Sequence, residues 1–187
     1  FVEHGGSEDG DSQANTRANN LSLVRCVLCA GLFPNVVQVQ RLNGKNILVS
    51  RELERCAVHP MSLNCHQQQG FAANSGWLLY HTKIQTSQIF LHDSTLVGSL
   101  PLLLFGGELH VNKARTQIVL DGLPFRTKKP ATATLLRLLH QEIDRLLLLK
   151  VADPTASLSE TATPLLATVA KLLHLEGSRV SGFYGSS

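Results

Sequence analysis

Eight polar and basic residues between positions 59 and 87 carry the side chains that single-stranded nucleic acid requires. Cations neutralise phosphates, amides and hydroxyls bond sugar and backbone oxygens, and tyrosine or histidine rings stack on bases. A solvated loop without a ligand has a similar composition, so both interpretations stay open on residue type alone. The candidates are His59, Asn64, Tyr80, His81, Lys83, Gln85, Thr86 and Ser87.

The four cysteines raise the question of a zinc site, because two Cys pairs can bind zinc tetrahedrally. Cys26 and Cys29 lie in the apolar run LVRCVLCAG, which has a helical pattern and no knuckle glycine. Cys56 and Cys65 have eight residues between them, rather than the roughly two to four of a zinc pair. We therefore expect reduced, half-buried thiols and no bound metal. A zinc-dependent enzyme is the alternative, and metal analysis would test it.

The chain has no catalytic constellation. Gly44-Lys45 is followed by Asn46 and lacks the upstream glycine of a phosphate-binding loop. His92, Asp93 and Ser94 have the residue types of a hydrolase triad, but neighbours on a strand point to opposite faces and cannot converge. We expect no catalytic residues here.

The densest apolar and β-branched stretch, residues 77–107, is expected to lie at the centre of the fold. Trp77–Ile84 and Gln88–Val97 are strand-length runs joined by Gln85-Thr86-Ser87, which predicts a hairpin. Leu102–Phe105 is another short apolar run, stopped by two glycines. We interpret the whole stretch as the middle of a small β-barrel.

Further strands are predicted on both sides of this stretch. Val36–Arg41 and Asn46–Ser50 flank Asn43-Gly44, a strong hairpin turn signal. A short strand is expected at Cys56–His59, and a later hairpin is expected from Glu108–Val111 and Gln117–Leu120. Several hairpin-linked strands in a short span favour an OB-type barrel.

Helices are predicted at both ends of the barrel. Leu21–Ala30 has a helical stripe with Asn20 as N-cap. A long amphipathic helix begins at Ala131 and ends before Pro154, with Leu135 and Leu147 in its apolar stripe and His140 on the other side. Thr163-Pro164 then predicts the cap and first residue of a last helix, which ends at Gly177.

These elements give an α+β fold: an OB-type barrel preceded by a short helix and followed by two C-terminal helices. The expected organisation is a disordered acidic linker at 1–20, the short helix plus barrel at 21–129, a helical extension at 130–176 and a loose tail at 177–187. The only methionine is Met61 and no secretory signal is visible, so we expect a fragment of a longer polypeptide. No apolar run approaches the length of about 20 residues that spans a membrane.

The positive charge is concentrated in the β-rich part. Residues 23–129 carry eleven Lys and Arg against five acids, whereas residues 1–22 have one Arg against four acids and residues 130–187 have five of each. Such an excess is expected of a part that meets a polyanion.

Four motifs in series resemble the C-terminal end of DEAH-box helicases, especially the RHA-like branch of RNA and G-quadruplex helicases. They are LVRCVLCAGLFPNV at 23–36, AVHPMSLN at 57–64, WLLYHTKIQTSQIFLHDST at 77–95 and LLLFGG at 102–107. The resemblance covers roughly residues 22–150, because the Leu-rich segment ending in Asp153-Pro154 also resembles the family.

The resemblance implies an OB-fold that lies against two RecA-like motor domains and helps form a channel for single-stranded nucleic acid. It implies that His81 to Ser87, with Asn64 nearby, face the strand, and that Trp77, Leu79, Phe90 and Phe105 are core. The family's phosphate-binding loop, Asp-Glu-Ala-His box and arginine-finger motif are absent, so ATP and Mg²⁺ would belong to the parent helicase. Gly122-Leu123-Pro124 departs from the aromatic residue that relatives often have near the last strand.

The sequence therefore predicts the nucleic-acid-binding C-terminal region of an ATP-dependent DEAH/RHA-type RNA or G-quadruplex helicase. Its expected partners are single-stranded RNA or DNA and the motor domains of the same polypeptide, with no membrane. The expected compartment is intracellular, in the nucleus or cytoplasm. The alternative is a protein-interaction module that docks a helicase motor or a regulatory partner and scarcely touches nucleic acid.

Overall fold

The first helix begins at the cap that the sequence predicts. The computed structural model describes residues 19–65, 76–112 and 116–181, so nearly all of the predicted linker at 1–20 lies outside the described residues. Helix α1 spans Leu21–Leu32, and Asn20 Oδ1 accepts hydrogen bonds from the amides of Ser22 at 3.1 Å and Leu23 at 3.3 Å. These bonds satisfy two of the four amides that lack partners at a helix start.

Five strands form the barrel: β1 (Val36–Leu42), β2 (Lys45–Ser50), β3 (Arg55–Val58), β4 (Trp77–Gln85) and β5 (Ile89–Val97). The barrel is closed, with strand order β1–β2–β3–β5–β4, and β1 also pairs with β4. β3 and β5 are parallel and the other pairs are antiparallel. The predicted α+β fold with an OB-type barrel is confirmed.

The turn between β1 and β2 follows the predicted chemistry. Asn43 and Gly44 have φ values of 51° and 78°, and Leu42 pairs directly with Lys45 across them. Two central residues with positive φ match the twist of a two-residue hairpin, which is why Asn-Gly is favoured there.

The barrel strands are apolar on both faces because both faces are covered. One face fills the interior with residues such as Val37, Leu48 and Leu91, each fully buried. The other face includes Trp77 and Leu79 and packs against α1 and the elements that follow β5. This explains why the sequence runs show little alternation between apolar and polar residues.

The apolar run at Leu102–Phe105, interpreted from sequence as part of the barrel, is helical. Helix α2 spans Ser99–Phe105, with Gly98 as N-cap and Pro101 in its first turn, where proline's missing amide costs nothing. Leu102 and Leu104 are fully buried. The helix lies between α1 and the C-terminal helices, outside the barrel.

The later strands form a separate sheet rather than joining the barrel. β6 (Leu109–Val111), β7 (Gln117–Leu120) and β8 (Leu123–Arg126) form a three-stranded antiparallel sheet. The hairpin of β6 and β7 confirms the predicted pairing. β8 was not predicted, since Pro124 disfavours a strand interior, but β8 is an edge strand, where proline is tolerated.

The two C-terminal helices are α3 (Pro130–Ala152) and α4 (Ala162–Ser181). The predicted polar position of His140 is wrong: its ring is buried, Nδ1 donates to the Leu103 carbonyl at 2.9 Å, and Nε2 lies 3.2 Å from Asp144. Leu135 and Leu147, placed in the apolar stripe from sequence, are exposed. The face of α3 that packs on α2 is therefore rotated about the helix axis from the face that the hydropathy pattern indicates.

Helix α4 begins one residue before the predicted cap Thr163 and continues past Gly177 to Ser181. Residues 177–181 of the predicted tail are therefore helical, and the rest of that tail lies outside the described residues. None of the helices in the described ranges combines the length and apolar content that crossing a membrane requires.

Candidate nucleic-acid interface

The end of the β4–β5 hairpin carries five of the eight predicted site residues, all exposed: His81, Lys83, Gln85, Thr86 and Ser87. The turn is fixed by the Thr86 amide, which donates to the Gln88 carbonyl at 3.0 Å. His81 Nδ1 lies 2.9 Å from Thr82 Oγ1. The hairpin end thus presents hydroxyl, amide and imidazole groups to solvent.

Lys83 does not present a free positive charge. Its Nζ lies 3.0 Å from Glu54 and 3.4 Å from Glu52. The hydrogen bond to Glu54 and the two nearby carboxylates raise the pKa of Lys83. Taken together, the three side chains carry a net charge of −1, so the hairpin end is not the cationic surface that the composition suggested.

Tyr80 lies in the barrel interior and not on the rim where the sequence placed it. Its side chain belongs to the buried cluster of Leu78, Leu91 and Leu96, and burial raises the pKa of its hydroxyl. A ring packed in this cluster contributes to the core and offers no open face to a base.

Asn64 is also buried, and its role in the fold is to tie the segment after β3 to β5. Its Nδ2 donates to the Ser94 carbonyl at 2.6 Å and lies 3.1 Å from Ser94 Oγ. An amide held in this way positions the neighbouring chain and is not presented to solvent.

His59 is part of an aromatic cluster on the outer face of the barrel. Its ring stacks on His92, with centroids 4.0 Å apart and planes at 30°, and meets the edge of Phe90 at 5.6 Å. His59 Nδ1 accepts a hydrogen bond from the Met61 amide at 3.3 Å, which fixes the orientation of the ring. We call His59, Phe90 and His92 the aromatic platform.

The strand register places this platform outside the barrel. Ile89 and Leu91 point into the interior, so Phe90 and His92, which alternate with them, point outward. All three rings are partly exposed. The expectation that Phe90 is core is therefore only partly met, because it is half-buried under His59.

Sequence reasoning missed His92 and Phe90 as candidate site residues. The available signal was their alternation with Ile89 and Leu91 along β5. The contact with His59 depends on the parallel pairing of β3 with β5, in which Val58 lies opposite Leu91, and a parallel pairing leaves no local turn signal.

Cys26 and Cys29 are buried in α1, and burial raises the pKa of Cys26 to about 12 and that of Cys29 further above its usual range. Their thiols are therefore protonated at neutral pH. Within residues 19–65, 76–112 and 116–181, no three His, Cys, Asp or Glu side chains cluster as metal ligands would. His66 lies outside these ranges.

Two protein families match the chain. The oligonucleotide/oligosaccharide-binding (OB)-fold family matches residues 24–109, which contain the barrel and α2. The family described as the C-terminal domain in RNA helicases matches residues 116–175, from β7 to α4. The two matches adjoin and together follow the order of the elements described above.

Curated relatives point the same way. The ATP-dependent DNA/RNA helicase DHX36 of Bos taurus is 33% identical over 150 residues, covering 77% of this chain and 15% of the relative. The DExH-box ATP-dependent RNA helicase DExH1 of Arabidopsis thaliana is 31% identical over 161 residues, covering 85% and 16%. The putative ATP-dependent RNA helicase DHX57 of Homo sapiens is 34% identical over 185 residues, covering 86% and 13%.

The chain thus corresponds to about a sixth or less of each relative's length. The barrel topology, the two adjoining family matches and these relatives agree with the resemblance found in the motifs. The chain belongs to the DEAH-box helicase family, as its C-terminal OB-fold region.

Proposed function

We propose that this chain holds single-stranded RNA or DNA on the outer face of its barrel, as the C-terminal region of an ATP-dependent helicase. The observation that carries the proposal is the aromatic platform, two of whose rings, Phe90 and His92, lie on β5 just after the polar end of the β4–β5 hairpin. Exposed rings beside hydroxyl and amide groups are the combination that sequence-tolerant strand binding uses.

The chemistry is stacking plus backbone hydrogen bonding. A base that lies on the exposed part of the His92 ring extends the stack that His92 already forms with His59. Because the two rings are already ordered, this contact costs no further side-chain entropy. Base stacking on such a ring contributes roughly 1–3 kcal/mol. Gln85, Thr86 and Ser87 then supply donors to phosphate or sugar oxygens from a turn that is already fixed.

Energy for unwinding would come from motor domains outside this sequence. The described residues include no phosphate-binding loop, so ATP and Mg²⁺ would bind those domains in the parent protein. In this arrangement the chain's own residues hold and orient the strand, and the parent protein acts inside the cell, in the nucleus or cytoplasm. One relative is named as a DNA/RNA helicase, and this name supports both RNA and DNA as ligands.

Fluorescence anisotropy with a labelled single strand tests the proposal. We expect wild type to bind, and His92→Ala to weaken binding by about 5-fold or more, which is the lower end of the stacking contribution. His92→Phe keeps a ring at this position and is expected to bind like wild type. His110→Ala removes an exposed histidine from β6 and is the matched control.

Two results would overturn the proposal. One is no measurable binding by the wild-type chain at low salt. The other is equal affinity of wild type and His92→Ala while circular dichroism shows both to be folded.

An apolar face on α1 favours a second function. Leu21, Val24 and Val27 are all exposed, Val27 by 72%, and their spacing places them along one side of the helix. Such a face suits docking of a motor domain or a regulatory protein, which was the alternative from sequence. Val27→Glu should abolish that docking in a pull-down with the motor domains and leave strand binding unchanged.

A further inference from the structure

Two exposed cations without a carboxylate partner in the described residues lie away from the β4–β5 hairpin. Lys83 is neutralised by Glu52 and Glu54. In contrast, Arg41 at the end of β1 and Arg126 at the end of β8 are exposed, and neither makes an ion pair within the described part of the chain. Part of the surplus positive charge of the β-rich part is therefore available at these two arginines.

Both arginines line one groove. It has a volume of about 450 Å³ and lies between β1, the start of β4 and β8. We call it the arginine groove. Its floor contains Trp77 and Phe125, whose ring centroids are 5.0 Å apart. Trp77 Nε1 donates to Ser99 Oγ at 3.3 Å, which anchors the indole ring to α2.

Polar groups on β1 complete the lining. Gln38 and Gln40 face the groove, and Gln40 Nε2 donates to Gln38 Oε1 at 2.8 Å. This bond orients the two amides and leaves the Gln38 Nε2 hydrogens available to a ligand. The groove therefore offers two guanidinium groups and oriented amide donors above an apolar floor.

We propose that the arginine groove binds the sugar-phosphate backbone of the single strand whose bases stack on the aromatic platform. This inference rests on the proposed function and adds the site of its electrostatic contacts. A guanidinium can donate two parallel hydrogen bonds to a phosphate, and the apolar floor can contact the sugar.

The distribution of charge favours a nucleic acid over an acidic protein segment. Lys45 follows Arg41 across the β1–β2 turn, and Lys128 follows Arg126 two residues later; both are exposed. Positive charge thus continues along the chain beyond each of the two groove arginines. A ligand with one negative charge in every repeat uses all of these positions, whereas an isolated acidic side chain uses one.

The salt dependence of strand binding tests the inference. Each phosphate contact to a single strand contributes about −0.7 to the slope of log K against log salt concentration. We expect the double variant Arg41→Gln/Arg126→Gln to reduce the magnitude of that slope by about 1.4. The charge-preserving variant Arg41→Lys/Arg126→Lys is expected to keep most of it.

The matched control removes the same charge from the helices. Arg137 on α3 and Lys171 on α4 make no ion pair within the described residues, unlike Arg145, which is paired with Glu142, and Arg137→Gln/Lys171→Gln should leave the slope at the wild-type value. Thermal unfolding of each variant checks that the fold is intact.

Three outcomes would overturn the inference, and the first would also overturn the proposed function. If the wild-type chain binds no strand, both the groove and the proposed function fail. If it binds, but the double variant keeps the wild-type slope, only the groove fails. If a glutamate-rich peptide displaces the strand at equal charge concentration and loses affinity equally in the double variant, the groove takes an acidic protein segment instead.

Discussion

Glu176 on α4 caps α2, and this contact links the C-terminal helix to the helix that follows the barrel. Its Oε1 and Oε2 atoms lie 2.9 and 3.2 Å from the Leu100 amide. Gly98 leaves the space that the carboxylate occupies, because a Cβ at this position would lie 2.6 Å from both Cδ and Oε2. Gly98→Ala and Glu176→Ala should therefore destroy the same interaction from its two sides.

The expected magnitude follows from the geometry. A hydrogen bond to a charged acceptor contributes about 1.5–3 kcal/mol to stability. We take ~2 kcal/mol for each single variant, or ~4–8 °C in Tm for a chain of this size. Gly98 has φ of −83°, so alanine fits its backbone and the loss comes from the displaced carboxylate.

A double-mutant cycle in urea measures the coupling. Because each single change removes the same contact, the double variant should lose ~2 kcal/mol rather than ~4, a coupling of about 2 kcal/mol. Glu160→Ala, an exposed change just before α4, is the control and should stay within about 0.5 kcal/mol of wild type. Additive losses in the double variant would refute the assignment of Glu176 as the cap.

Three further outcomes are expected. Gly31→Ala should stabilise the chain by about 0.5–1 kcal/mol in urea unfolding, because Gly31 is helical and a Cβ there meets nothing within 4 Å; a loss would contradict this. Burial raises the pKa of Cys26 to about 12, so the stability gained by keeping its thiol neutral is complete below the ordinary value of 9.0 and is lost as pH rises towards 12. The urea midpoint should therefore fall across that window, and Cys65, which is only partly buried, should be alkylated before Cys26 in the native chain. Lys83→Ala should change the salt slope of strand binding by well under the ~0.7 of one phosphate contact, because two carboxylates already neutralise Lys83.

The elements that the sequence predicted well have local signals. The Asn43-Gly44 turn sets the β1–β2 register through backbone conformations that few other residue pairs adopt. Asn20 identifies the start of α1 because its side chain bonds amides two and three residues later. Such features depend on neighbours along the chain and can be read without knowing the fold.

The elements that it missed depend on contacts distant in sequence. A run as short as Leu102–Phe105 fits a buried strand or a buried helix equally, and only Pro101 and Gly98 hinted at the helix. β8 was missed since Pro124 is acceptable only at a sheet edge, and edges are set by the tertiary fold. The sequence placed His140 on the solvent side because a hydropathy pattern contains no information about its hydrogen bond to the Leu103 carbonyl.

The residues of the candidate site also divide into those with a local sequence signal and those that depend on contacts distant in sequence. Sequence identified the exposed hairpin end, since a polar turn between apolar strands is a local pattern. It could not show that Tyr80 points into the barrel, that Glu52 and Glu54 neutralise Lys83, or that Arg41 and Arg126 share a groove. Each of these facts requires the closure of the barrel or the docking of the second sheet.

Hydrogen exchange of the chain with and without a saturating single strand tests the central claim most directly, because it maps where the strand lies. We predict slower exchange in the peptides containing His59, Phe90 and His92 and in those containing Arg41 and Arg126, with α4 unchanged. Protection confined to α3 and α4, or none at all at saturation, would contradict the claim that the outer face of the barrel holds the strand.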